Sequence, residues 1–184
     1  MTHWRDDLNR TAVAFRYGHG RLVELPIIAD AANGELGEAH PEIWDFYTCT
    51  SDTQAIDLTS KLALDLNGFV LESWEALPYV QDVLKRALDN FIAHNMSVPA
   101  LCKLVGELDC MFNIFLSDQP KPAAHSDWKE WWMGTLWDCC DWCGENRTLE
   151  DHPSLVAEAS RVALMLAEIA SGRPRAHEGK HGSP

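Results

Sequence analysis

The feature that most constrains the fold is the return of apolar residues every three or four positions along most of the chain. Between Pro78 and His94, Val80, Val83, Leu84, Ala87, Leu88 and Phe91 fall on one side of a helix. Between Ser97 and Phe115, Leu101, Leu104, Val105, Leu108, Met111, Phe112 and Phe115 do the same. A 3.6-residue period with charged residues opposite is the pattern of a helix that buries one face, and it does not fit a strand. Local punctuation agrees: Ser97 is an N-cap with Pro99 in the first turn, and Asn95 is suited to the left-handed conformation that ends the preceding helix.

The same reading predicts a helix over Thr2 to Tyr17, carrying Trp4, Leu8, Ala12 and Phe15 inward and Arg5, Arg10 and Arg16 outward, stopped by Gly18 and Gly20. Pro41 opens a short helix to about Thr48. Asp52 to Asn67 forms a longer one, with Ala55, Ile56, Thr59, Leu62, Ala63 and Leu66 on its face and Gly68 at its stop. Ser126 caps a tryptophan-rich helix running to Cys143, and a last helix spans Pro153 to Ser171. Residues 21–28 are short, β-branched and interrupted by Pro26, which predicts an edge strand or an extended connector; residues 29–40, with Asn33-Gly34 and Gly37, read as loop. The expected architecture is an all-α, single-domain helical bundle of about six or seven helices over residues 1–172. The tail 173–184 has almost nothing apolar to bury and is expected to be disordered.

Charge narrows the function. The chain has 184 residues and a formal net charge of −13. The tail carries Arg173, Arg175 and Lys180 against Glu178, so the preceding body is more acidic still. Direct nucleic-acid binding is disfavoured, because phosphate neutralisation needs clustered Lys and Arg. From Leu22 to Ser60 there is no Lys or Arg, while Glu24, Asp30, Glu35, Glu38, Glu42, Asp45, Asp52 and Asp57 crowd together around Trp44, Phe46 and Tyr47. Such a block serves either as a solvated face or as a surface for a cationic partner.

No apolar run approaches a membrane span, and Arg5, Asp6 and Asp7 stand where an export signal needs apolar residues, so a cytoplasmic location without membrane attachment is expected. The six cysteines (Cys49, Cys102, Cys110, Cys139, Cys140 and Cys143) are then expected to be reduced thiols, mostly packed as small hydrophobes.

Catalytic motifs are sparse. A nucleophile elbow, a P-loop, a dinucleotide fingerprint and a paired-histidine metal motif are all missing, and the expectation is a protein that is not an enzyme and needs no cofactor or metal. Cys140-Asp-Trp-Cys143 on a predicted helix, with Glu130 upstream, resembles the CxxC motif of the AhpD-type helical thiol peroxidases, which implies thiol oxidoreductase chemistry. In that motif a histidine follows shortly after; here Arg147 stands in the expected place and the next histidine is His152. Asp138 and Asp141 and the negative end of the helix dipole would raise a thiol pKa rather than lower it. Cys139, Cys140, Cys143 and His152 are also a conceivable zinc set, but within a helix Cys139 and Cys140 diverge by about 100°, so both could ligate only if the helix unwound.

The function that fits is an acidic cytoplasmic inhibitor of a basic protein, most plainly the immunity protein of a bacterial toxin such as a nuclease, with Glu35, Glu38, Glu42, Trp44, Asp45 and Trp137 as partner-binding residues. Met133 and Trp142 are further aromatic or sulfur anchors on the tryptophan-rich helix. The alternatives are a phage-type anti-defence protein whose carboxylates mimic DNA phosphates, a helical adaptor or secretion chaperone, and the CxxC oxidoreductase.

Overall fold

The computed structural model describes residues 4–36, 40–116, 118–120, 136 and 153–171. Among these there are seven α-helices and no strand, arranged as a helical bundle. They are α1 (Trp4–Arg16), α2 (Glu24–Leu36), α3 (Asp45–Thr48), α4 (Asp52–Asn67), α5 (Leu77–Ile92), α6 (Val98–Asp109) and α7 (Pro153–Ala170). Short 3₁₀ turns at Pro41–Trp44 and Trp74–Ala76 lead into α3 and α5, and a π-helical segment, Cys110–Phe115, continues α6.

α1 and α5 organise the bundle. α1 packs on α4, α5 and α2, while α5 packs on α7, α1 and α6. The buried positions of α5 are Leu77, Val80, Val83, Leu84, Ala87, Leu88 and Phe91, the stripe that the periodicity picks out. On α6, Leu101, Leu104, Val105 and Leu108 are buried, and Met111 and Phe112 continue the face through the π-helical segment. On α7, Leu155, Ala159, Val162 and Leu166 turn into the core, and Leu136 is helical and fully buried.

The predicted stop signals act as physical caps. Gly18 (φ 72°) and Gly68 (φ 65°) adopt the left-handed conformation, and the His19 amide closes α1 on the Ala14 carbonyl at 2.7 Å. Ser97 accepts from the Ala100 amide, and Ser51 accepts from the Gln54 amide to start α4. At the end of α5 the left-handed residue is His94 (φ 61°), one position before the expected Asn95, whose amide instead donates to the Asn90 carbonyl at 2.8 Å.

Residues 21–40 depart from expectation. Glu24–Leu36 is a helix, neither a strand nor a loop. Leu25, Ile28, Ala29 and Ala32 form a buried stripe at helical spacing, and Pro26 falls in the first turn, where its missing N–H breaks no helical bond. Asn33 and Gly34 sit in the helix interior away from the core, with open space around Gly34, so core packing overrides the local turn preference. The basic side expected on α1 is also altered, since Arg5 and Arg10 are bridged to carboxylates.

Candidate functional site

The residues singled out on the acidic block are positioned by the turn that Pro41 opens. Ile43 and Phe46, three apart, are buried, which directs Trp44 and Tyr47 the other way. Trp44 is 52% exposed and Tyr47 40%, which is unusual for rings of that size. Their ring centroids lie 5.7 Å apart, with the planes inclined at 32°. The Tyr47 hydroxyl donates a short hydrogen bond to Asp30 Oδ1 of α2, and Asn33 Nδ2 donates to that hydroxyl at 3.5 Å. Asp30 favours the protonated phenol and raises the Tyr47 pKa. The aromatic pair is therefore anchored to α2 by a carboxylate that retains a second oxygen.

The predicted carboxylates divide into two kinds. Glu35 belongs to an internal cluster: it accepts from Trp4 Nε1 at 2.6 Å and pairs with Arg5 at 3.2 Å, while the Arg5 guanidinium lies 4.5 Å over the Trp4 ring. Glu42 pairs with Lys61 of α4 at 3.4 Å, and Lys61 is shared with Asp65 at 3.0 Å. A hydrogen bond from its own backbone amide, together with Lys61, lowers the Glu42 pKa. Asp45 and Asp30, in contrast, make no ion pair with any described residue. Trp44, Tyr47, Asp30 and Asp45 thus gather on one part of the surface, whereas Glu35 and Glu42 carry local cations. Glu38 and Trp137 lie outside the described residues, as do Met133, Trp142, Glu130, Cys139, Cys140, Cys143, Arg147 and His152.

Asp30 was not among the expected site residues. No local signal points to it: residues 21–40 read as a strand or connector followed by loop, and it is the helical register of α2 in the structure that brings Asp30 to the Tyr47 hydroxyl.

A second concave feature, of about 270 Å³, lies between α1, α2 and α5, with Asp7, Arg10, Ala14, Ile27, Ile28 and Arg86 among its lining residues. Arg10 is bridged to Asp6 and Asp82, each at 3.0 Å. Burial works against its charge, but those carboxylates outweigh it and raise its pKa. Burial, and secondarily the charge of Arg86, lower the pKa of His19. Among the described lining residues there is no Cys, Ser or His.

Cys49 and Cys110 are free thiols, as expected, but neither is packed in the core: Cys49 is half-buried and Cys110 exposed. Cys102 is not: it is disulfide-bonded, with its partner outside the described residues. Sequence spacing cannot reveal which thiols a fold brings together. Among the described residues no group of three or more His, Cys, Asp or Glu is placed to hold a metal ion, and no helix is long and apolar enough to cross a membrane.

No family model matches the sequence, and neither the curated proteins nor the solved structures include a significant match to it.

Proposed function

We propose that this protein binds a basic protein through the surface built from Trp44, Tyr47, Asp30 and Asp45, and that it does so as an inhibitor, the immunity protein of a bacterial toxin being the form that best fits an acidic helical chain of this kind. The observation that carries the reading is the pair of adjacent, exposed rings beside carboxylates that have no cation of their own among the described residues. Aromatic anchors supply desolvated contact area, and a one-signed field around them speeds capture of an oppositely charged partner. Phosphate mimicry is supported less well, because it calls for an extended array of free carboxylates and Glu35 and Glu42 are neutralised by Arg5 and Lys61.

Affinity purification from an extract of the source organism tests the reading, with the wild type and a Trp44→Ala/Asp45→Lys variant immobilised side by side. The wild type should retain a basic protein whose recovery falls as salt rises, the variant should lose it, and the wild type should suppress that protein's activity. Identical retained proteins from both columns would overturn the proposal.

A further inference from the structure

We propose that the Trp44–Tyr47 pair and Asp30 form a receptacle for one arginine side chain of the partner. This inference rests on the docking surface proposed above and specifies what enters it.

The argument begins with an arrangement that the protein already contains. At the junction of α1 and α2, a guanidinium (Arg5) lies over an indole (Trp4), and one carboxylate (Glu35) takes hydrogen bonds from both the indole N–H and the guanidinium. There a ring face and a charged acceptor act on one cation at once, with the Leu66 carbonyl and Asn67 Oδ1 as further acceptors. The exposed site repeats the ring-and-carboxylate chemistry, with no cation paired to Asp30 among the described residues. Two rings 5.7 Å apart offer their faces, and Asp30, fixed by the Tyr47 hydroxyl through Oδ1, has its second oxygen available. Ile43 and Phe46 are buried, which turns Trp44 and Tyr47 outward before any partner arrives.

Guanidinium is favoured over ammonium for geometric reasons. Its plane can lie against Trp44 while its edge donates to a carboxylate, whereas a lysine ammonium is a compact, strongly hydrated charge without that flat face. The surrounding sequence is acidic, with no Lys or Arg from Leu22 to Ser60, and Lys61, which reaches the Pro41 turn, is engaged by Glu42 and Asp65.

The test uses the full chain labelled with 5-fluorotryptophan, with the Trp44 ¹⁹F resonance assigned from a Trp44→Phe variant. The probes are three blocked pentapeptides, Gly-Ser-X-Ser-Gly, with X arginine, lysine or citrulline. Citrulline keeps the shape of arginine and lacks its charge. The arginine peptide should move the Trp44 resonance saturably, the lysine peptide should act more weakly, and the citrulline peptide should leave it in place. Asp30→Asn keeps an acceptor for the Tyr47 hydroxyl and should weaken the arginine peptide by up to about fivefold, the range of an exposed ion pair. No response to arginine, or equal responses to arginine and either other peptide, would overturn the assignment. The two proposals fail separately. A basic protein lost from the Trp44→Ala/Asp45→Lys column while Trp44 ignores the arginine peptide would leave the docking surface standing and remove the receptacle. A saturable arginine response with unchanged capture would do the reverse.

Discussion

Trp4 Nε1 donates a 2.6 Å hydrogen bond to Glu35 Oε2, so the start of α1 is fastened to the end of α2 by a residue that the sequence alone presents as one more surface carboxylate. With Arg5 at 3.2 Å from the same carboxylate, Glu35 holds two helices together. Its charge is not available to steer a partner in the way that Asp45 is.

This distinction can be measured by chemical denaturation. Glu35→Ala should lower stability by about 1 kcal/mol, the net worth of a partly exposed hydrogen-bonded contact. Asp45→Lys touches no described partner and should stay within about 0.5 kcal/mol of the wild type. The reverse order would mean that the two carboxylates have been assigned the wrong roles.

Tyr17 gives a pH-dependent prediction. Its hydroxyl is buried with no hydrogen-bond partner among the described residues, and burial pushes its pKa up to about 12. The unfolded phenol ionises near pH 10, so between about pH 10 and 12 the folded state holds a proton that the unfolded state has lost. Stability should therefore fall across that window, by on the order of 2 kcal/mol from this residue. Tyr79, raised by burial and by Asp6, adds to the fall. Tyr17→Phe should flatten the alkaline limb and be neutral or stabilising at pH 7, because it removes an unsatisfied buried hydroxyl. Urea midpoints at several pH values read both effects.

Two glycines should fail for different reasons. At Gly68 a Cβ would meet nothing within 4 Å, but φ is 65°, so Gly68→Ala should cost about 1 kcal/mol in backbone strain alone. At Gly20 the φ is ordinary and a Cβ would run into the ring of Phe15, itself buried, so Gly20→Ala should cost about 1–3 kcal/mol through overpacking. In the double variant Phe15→Leu/Gly20→Ala, part of the Gly20 penalty should be recovered, whereas Phe15→Leu should not rescue Gly68→Ala. Thermal melts of the set decide this.

The core face of α6 should be intolerant. Leu108→Ala and Phe112→Ala should each lower stability by about 2–5 kcal/mol, since Leu108 is fully buried and Phe112, 5.7 Å from Trp74, is nearly so. Near-neutral denaturation midpoints would contradict that packing.

Where the sequence is legible and where it is not follows from physics. α4, α5, α6 and α7 can be read within a residue or two because each carries a long apolar stripe, and in α4 and α6 a strong cap coincides with it: Ser51 with Gly68, Ser97 with Pro99. α2 is illegible locally, because Pro26, Asn33 and Gly34 all signal interruption and only contact with α1 and the Pro41 turn makes Glu24–Leu36 helical. The candidate site divides in the same way. The outward turn of Trp44 and Tyr47 follows from their spacing against Ile43 and Phe46, whereas the capture of Glu35 by Trp4 and the approach of Asp30 to Tyr47 join residues 31 and 17 positions apart, which no local pattern encodes.

The packing of α5 has a consequence for biosynthesis. One side of this helix is covered by α1, already made when α5 emerges, but the other is covered by α7, made more than sixty residues later. A nascent chain that has just released α5 and α6 carries an uncovered apolar strip of the bundle's central helix. It must keep that strip from other chains until Leu155, Ala159, Val162 and Leu166 arrive to close it. Completion of this core is therefore bound to the synthesis of α7, and a ribosome stalled between α6 and α7 would present an incomplete, adhesive bundle to the quality-control machinery of the cell.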